Sequence, residues 1–481
     1  MVEVEQRRLV GIDLGIASEH TVRVLTGAGV EVCRRRACPT VRSLSVVEAA
    51  ALAGAAPGTR LEVVLEPTGS AWLPIAVFFH ARGHRVFRVS NAQACDLRRF
   101  LSRHAKSNGI DADTLARLPL LAPQALVPLE LPDSTGAALD RRVRACDRLT
   151  QQGAVHQRRI KDLVRQLMPM TAMTGAVCRT DLAVLERWAD PRLLLAAPRA
   201  RLTAVIAKTS HGRQGADRAE QWRQAAHAAV EIYGEHPAVA FTDLAAEVAT
   251  EARLLRAVWA ELDAHAEQRD AAYRFSDPSR LAMSMPGLAR IGAPTVTAIL
   301  GRPGRFRSAK QVRAFTGLAP RASQTGESDR KGQPMSKAGN RLLRVTLIRA
   351  ADHARREDPQ LAKIYYTQMV ERGADHLKAC CVVAAHLAER LWAVLDRGMP
   401  YVVCDTENNP VSPAEAKAII AERWTVPPEV RARRRNRKPA KGKAPQQVLA
   451  GHDRPVSAGK RGDLPHSSSA PPARLVKAAA S

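Results

Sequence analysis

The chain has 481 residues, 73 Lys and Arg against 47 Asp and Glu, a formal net charge of +26, and 46% hydrophobic residues. That length and apolar content support two or more globular domains with their own cores. The cationic excess goes beyond what solubility or an Arg-preferring codon usage explains. Each neutralised phosphate releases counterions, so nucleic acid is the favoured partner.

The eight cysteines, Cys33, Cys38, Cys95, Cys146, Cys178, Cys380, Cys381 and Cys404, form no C-x-x-C pair and have no His at zinc-finger spacing. They read as reduced thiols. No apolar stretch has the length of a membrane span, and Met1–Asp13 is not a signal peptide. The expectation is a soluble cytoplasmic protein, nucleoid-associated through its partner, with no membrane role.

Residues 1–125 read as mixed α/β. Arg8–Asp13 is a short apolar run ending in Gly-Ile-Asp. Thr21–Thr26 and Val30–Arg34 alternate on either side of a Gly-Ala-Gly turn, as antiparallel hairpins do. A helical Ser43–Gly54, a buried-type strand Leu61–Glu66, a helical Trp72–Arg82, a strand His84–Val89 and a helical Ala92–Leu118, with a break near Asn108–Gly109, follow. This order of elements is that of a ribonuclease H-like domain.

Residues 135–280 are helical in character, with apolar positions every three or four residues in Leu149–Leu167 and Leu244–His265 and breaks at Pro169 and Pro191. A paired-helix spacer and a plain bundle both satisfy this pattern. Residues 281–400 form a third, mostly α unit, opening at Met285–Gly292 and passing through a Gly/Ser/Lys-rich loop. Residues 427–481 turn to Arg, Lys, Pro and Ser and read as a disordered basic tail that grips phosphates without sequence preference.

Asp13 ends the first strand, Glu66 ends another that would neighbour it, and Asp111 lies on the helix after the last strand. Carboxylates gathered from separate elements repel unless a cation lies between them, which points to Mg²⁺ or Mn²⁺ and to phosphoryl transfer. Each acid also has a plainer reading. Gly11–Gly15 is similar to a phosphate loop of actin-like ATPases, although no second such loop follows; Glu66 suits a helix N-terminus; Asp111 suits a solvated helix face.

Gly11-Ile12-Asp13, Glu66-Pro67-Thr68-Gly69 with Trp72, and Lys106-Ser107-Asn108-Gly109-Ile110-Asp111-Ala112 resemble the three acidic motifs of the DEDD insertion-sequence transposases, family 110 in the insertion-sequence naming scheme. Pro286-Gly287 with Gly292, Phe306–Ala309, Phe315–Pro320 and Ser336–Arg344 resemble that family's second domain. The resemblance implies a ribonuclease H-like (Holliday-junction-resolvase-like) domain at 1–125, a helical spacer at 135–280 and a C-terminal transposase domain at 281–400 bearing a nucleophilic serine. It further implies DNA transposition by metal-dependent strand cleavage and exchange, by a homo-oligomer acting on element ends and target DNA, guided by an element-encoded RNA.

Two positions depart from the family pattern. The family's last acid but one falls on Asn108, whose amide oxygen can ligate a cation without adding charge; Asn108 and Asp113 both stand as candidates beside Asp111. The family's serine falls on Thr325, with Ser323 and Ser328 close enough to replace it. A hydroxyl nucleophile needs help losing its proton, which the acidic cluster supplies if the two domains meet. Met285–Gly292 resembles a helix-hairpin-helix turn, and Lys106, Lys331, Lys337, Arg341 and Arg344 are the expected phosphate contacts. Asn108 and Thr325 also leave open a binding protein that has lost catalysis.

Overall fold

The buried run Leu9–Ile12 belongs to Arg7–Asp13 (β1), and a strand apolar on both faces belongs inside a sheet. In the computed structural model β1 is the middle of five strands. His20–Thr26 (β2) lies antiparallel on one side with Glu31–Ala37 (β3) at the edge beyond it; Arg60–Leu65 (β4) lies parallel on the other side, followed by Arg85–Arg88 (β5). The structure describes residues 7–435 except 67–68, 103–104, 106, 124–125, 174, 235, 237, 322–323, 326–327 and 330–332. Two compact units divide the chain: residues 1–354 with 384–402, and residues 355–383 with 403–481.

Val41–Leu52 (α1) and Trp72–Ala81 (α2) cover one face of the sheet, where Leu44, Val47, Ile75 and Phe79 join Val10, Ile12, Val22 and Val63 in a single core. The other face takes Asn91–Leu101 (α3) and Asn108–Leu121 (α4). The break expected near Asn108–Gly109 is present, between Leu101 and Asn108, because Ser107 adopts extended backbone and its hydroxyl accepts the Ile110 N–H at 3.3 Å. A serine in that geometry starts a helix rather than continuing one.

Gly11 decides how α4 sits. A Cβ at this position would lie 2.0 Å from the Ala112 carbonyl oxygen and 2.4 Å from the Ala116 nitrogen. The helix backbone therefore rests directly on β1. Leu9 packs with Ala116 and Leu120, while Gly11 meets Ala112 and Ala116, so α4 runs antiparallel to β1 with its N-terminus toward Asp13.

The spacer is built on Ser134–Leu167 (α5) and Phe241–Ser276 (α10), of 34 and 36 residues, each about 50 Å long at the α-helical rise. Arg142 bonds His265 at 3.2 Å while His156 bonds Glu251 at 2.6 Å, so the pair is antiparallel. Gly153 lets Leu255, Val258 and Trp259 approach α5. Arg179–Trp188 (α6), Pro191–Ala196 (α7), Arg199–Thr209 (α8) and Ala216–Tyr233 (α9) complete a helical core around Trp222. Of the expected breaks, Pro191 opens α7 at its first turn, and α5 ends two residues before Pro169.

Gly292–Leu300 (α11), Ala309–Thr316 (α12) and Arg341–Ala354 (α13) follow in the same unit, with the short hairpin Gln324–Thr325 (β6) and Ser328–Asp329 (β7) between the last two. In the second unit, buried Asp358 caps Pro359–Tyr366 (α14) through the Leu361 N–H at 2.8 Å, and Tyr366 stacks edge-on against Trp424. His376–Arg397 (α15) and Pro413–Arg423 (α16) precede a last helix, Pro428–Arg435 (α17). The expected disordered tail thus begins as helix: Pro428 and Glu429 open it and an arginine run closes it, matching the helix dipole at both ends. The rest of the tail lies outside the described residues. No described helix is long and apolar enough to cross a membrane.

Gly11→Ala should force α4 off β1 and lower stability by about 1–3 kcal/mol or more, the range for overpacked cores. A thermal melt of the full chain, followed by circular dichroism, measures it; an unchanged melting temperature would refute the close packing.

Candidate active site

Strand register brings the first two acids together. Ile12 and Leu65 are paired across the parallel strands β1 and β4, so Asp13 and Glu66 stand side by side one step further on. Parallel sheets of this kind open their crevice at the carboxyl ends of the strands. Side chains alternate along a strand, and Leu9 and Gly11 face α4, so Asp13 faces α4 as well.

The helix presents two stripes to the same place. Ala112, Ala116 and Leu120 lie over β1, and one turn earlier on that stripe is Asn108. Leu115 and Leu118 pack on Val64 of β4 and Phe87 of β5; one turn before Leu115 is Asp111. The first turn of α4 therefore carries Asn108 toward the Asp13 side and Asp111 toward the Glu66 side. Arg98 of α3 holds Asp111 through Nε at 3.1 Å, a fixed positive charge on one rim of the cluster.

Asp113 goes elsewhere. It pairs with Arg117 one turn along α4, at 2.8 Å, and its charge raises the proton affinity of the Arg34 guanidinium on β3, behind that group's bond to Glu31. Of the two candidates beside Asp111, Asn108 shares the stripe that meets β1, and Asp113 lies on the flank facing β2 and β3.

The donor set at this end of the sheet is carboxylate and amide oxygen, the set hard divalent cations prefer over softer metals. Asp13, Glu66, Asp111 and Asn108 carry such donors at this end of the sheet, but the ligand atoms of the three carboxylates do not gather within 4.8 Å of one another, and Asp111 is paired with Arg98. The motif's Trp72 plays a scaffolding part: it opens α2, and the Arg88 guanidinium from the end of β5 lies 4.6 Å from its ring.

The loop carrying the expected nucleophile stands on a built stem. Lys337 N–H donates to Gly317 O at 3.1 Å, Ser336 N–H to Ala319 O at 2.8 Å and Arg321 N–H to Pro334 O at 3.0 Å. The stem closes where two glycines cross: a Cβ on Gly339 would sit 2.1 Å from Phe315 O and 2.4 Å from Gly317 N. At its tip, Thr325 pairs with Ser328 across β6–β7; Ser323 lies outside the described residues. Just before this loop, burial holds the Arg305 guanidinium below its usual range, with Glu130 opposing and Arg88 adding to the effect. Arg305 is thus within electrostatic range of Arg88, at the end of β5.

The expected phosphate contacts divide. Lys337, at the base of the stem, and Arg341, at the start of α13, are exposed, whereas Lys106 and Lys331 lie outside the described residues. Arg344 is engaged differently: its Nη1 donates to the carbonyls of Thr316, Lys337 and Gly339 at 3.3–3.4 Å, bracing the glycine crossing. The Met285–Gly292 turn is likewise packed, with Gly287 at φ 75° and no room for a Cβ against Ala350 O of α13, 2.2 Å away.

A group absent from the sequence-level site also stands here. Arg23, Arg34, Arg35 and Arg36, with Thr21 and the Ser107–Gly109 start of α4, line an open cavity of about 550 Å³. The run Arg34-Arg35-Arg36 was visible in the sequence; its place next to Asp13 depends on strand pairing.

Arg344→Lys keeps the charge but cannot reach three carbonyls at once. If Arg344 is a brace, the variant loses roughly 1–2 kcal/mol in a thermal melt. A purely phosphate-binding Arg344 would leave the melt unchanged.

Family models match two stretches of the chain. A model described as a transposase of the DEDD IS110 type covers residues 10–169, and the model for the transposase IS116/IS110/IS902 family covers residues 279–366. The transposase for insertion sequence element IS1111A of Coxiella burnetii is 26% identical over 187 residues, covering 37% of this chain and 50% of its own. The insertion element IS900 uncharacterized 42 kDa protein of Mycobacterium paratuberculosis is 30% identical over 224 residues, covering 45% of this chain and 53% of its own. The chain spans about half the length of the curated relatives it matches. Two models in the expected order, one over the acidic end of the sheet and one over the stem and its glycine crossing, account for Gly11–Gly15 without a nucleotide phosphate loop. This chain belongs to the IS110-type family of insertion-sequence transposases.

Proposed function

We propose that the protein cleaves and exchanges DNA strands as the transposase of an insertion sequence, using a ribonuclease H-like domain at 1–125 and a hydroxyl from the domain at 281–400. The observation that supports this reading is the Ile12–Leu65 register, after which Asp13 and Glu66 follow at the carboxyl ends of neighbouring parallel strands. The sheet order β3-β2-β1-β4-β5, antiparallel on one side of β1 and parallel on the other, supports the fold assignment.

Asp13, Glu66, Asp111 and the Asn108 amide would hold Mg²⁺ or Mn²⁺, which supplies charge stabilisation to the phosphate and its leaving oxygen. The protein's own part is positioning. Arg98 holds Asp111 in place, and the braced stem presents Thr325 as a hydroxyl nucleophile. In the step itself the Thr325 Oγ–phosphorus bond forms while a backbone P–O bond breaks. The threonine proton leaves toward the carboxylates, and the departing sugar oxygen takes up a proton. The phosphodiester is conserved as a protein–DNA link, so a second strand can reverse the exchange without an external energy source. Element ends and target DNA are the substrates, an element-encoded RNA selects them by base pairing, and a homo-oligomer brings them together.

Strand cleavage with the element's RNA and Mg²⁺ tests this reading. Asp13→Ala should abolish cleavage and leave DNA binding within about twofold, since removing a carboxylate near phosphate does not weaken attraction. Retained cleavage would refute the metal-site assignment. Asn108→Asp adds a ligand charge and should lower the Mg²⁺ concentration giving half-maximal cleavage. Thr325→Ala should remove the covalent adduct seen on a denaturing gel, with Thr325→Ser retaining it. An adduct that survives Thr325→Ala assigns the attack to Ser323 or Ser328, and binding with no cleavage by the unaltered chain favours the reading in which catalysis has been lost.

A further inference from the structure

We infer that the arginine-lined cavity beside Asp13 is a binding site for a backbone phosphate of the DNA strand being cut, next to the scissile one; this rests on the reading above. Register supplies the placement. Asp13 pairs with Thr21, and Thr21 with Arg36; Gly11 pairs with Arg23, and Arg23 with Arg34. Asp13, Thr21, Arg23, Arg34 and Arg36 therefore share one face of the sheet. Arg36 stands two strands from Asp13, about 10 Å at the usual interstrand spacing, the distance of a neighbouring phosphate rather than a remote one.

The charges of this cavity are arranged against the fold's own interest. Arg23 and Arg34 face each other across β2–β3, where like charges oppose pairing. Arg23 also lies on the start of α4, close enough that a Cβ on Gly109 would sit 2.7 Å from its Nη2. A cation at the positive end of a helix is unfavourable. Among the described residues Glu31 is the carboxylate paired with this group, to Arg34 at 2.7 Å, and Arg34, Arg35 and Arg36 are all exposed. An anion in the cavity relieves each of these repulsions at once and would lie at the positive end of the α4 dipole. Because β3 is the edge strand, the cavity is open on its outer side, as a continuous strand passing through requires.

The test is the salt dependence of binding, measured with the full chain by fluorescence anisotropy on a single-stranded DNA oligonucleotide in EDTA, where no cleavage intervenes. Arg23→Ala/Arg36→Ala should flatten the slope of log K against log[salt] by about 1.4, two contacts at ~0.7 each for single strands. Arg36→Gln, an exposed edge-strand change, should flatten it by about 0.7 and serves if the double variant melts early. Arg60→Ala, at the opposite end of the sheet, should leave the slope unchanged. An unaltered slope in a folded Arg36→Gln protein overturns the inference, and so does a change seen with an RNA oligonucleotide of the same sequence but not with DNA. Cleavage by the same variants separates the two levels: if Asp13 is still required while the slope is unaltered, this inference fails and the transposase reading stands. If Asp13→Ala cleaves normally, the reading beneath it fails.

Discussion

The contact between Gly11 and the backbone of α4 is the constraint on which the acidic end of the sheet depends. With no Cβ in the way, the helix lies on β1 at a separation that any side chain would forbid. The Ala112–Ala116–Leu120 stripe then tracks β1, and the first turn of the helix arrives over its carboxyl end. Segments that are far apart along the chain reach one end of the sheet because of one missing methyl. The acid at the end of β1 needs no further guidance, since strand alternation already turns it to the helix side.

The same packing gives the two flanks of α4 opposite characters. Toward β4 and β5 the helix presents Asp111 and, further down, Leu115 and Leu118 on Val64 and Phe87. Toward β2 and β3 it presents Asp113 and Arg117, which neutralise each other, beside an edge strand rich in arginine. An acidic crevice and a basic cavity thus adjoin across the width of one strand. That juxtaposition suits a phosphodiester whose one phosphate must be attacked and whose neighbour must be held, because phosphoryl transfer depends on position and charge more than on covalent help from the protein.

The C-terminal region shows the same use of close backbone approach. Gly317 and Gly339 cross where neither tolerates a Cβ, and Arg344 ties three carbonyls around the crossing. What looked in sequence like one more basic phosphate contact is, in the fold, part of that crossing.

Much of this was legible in the residues alone. The alternating and apolar runs gave the strands of the sheet in their observed order. Asp13, Glu66 and Asp111 stood out because carboxylates gathered from separate elements repel one another unless a cation lies between them. The family motifs carried the same three positions. Other features were decided only by tertiary structure. Asn108 and Asp113 are both near Asp111 in sequence, and it took the docking of α4 on Gly11 to send one toward β1 and the other toward β3. Arg34–Arg36 carried no site reading in the sequence, since the distance from Arg36 to Asp13 is set by two strand pairings that no local pattern encodes. Arg344 differs from Lys337 and Arg341 only through the carbonyls around it. Local sequence determines what an element is and which faces it offers; which charges become neighbours depends on the register and packing between elements distant in the chain.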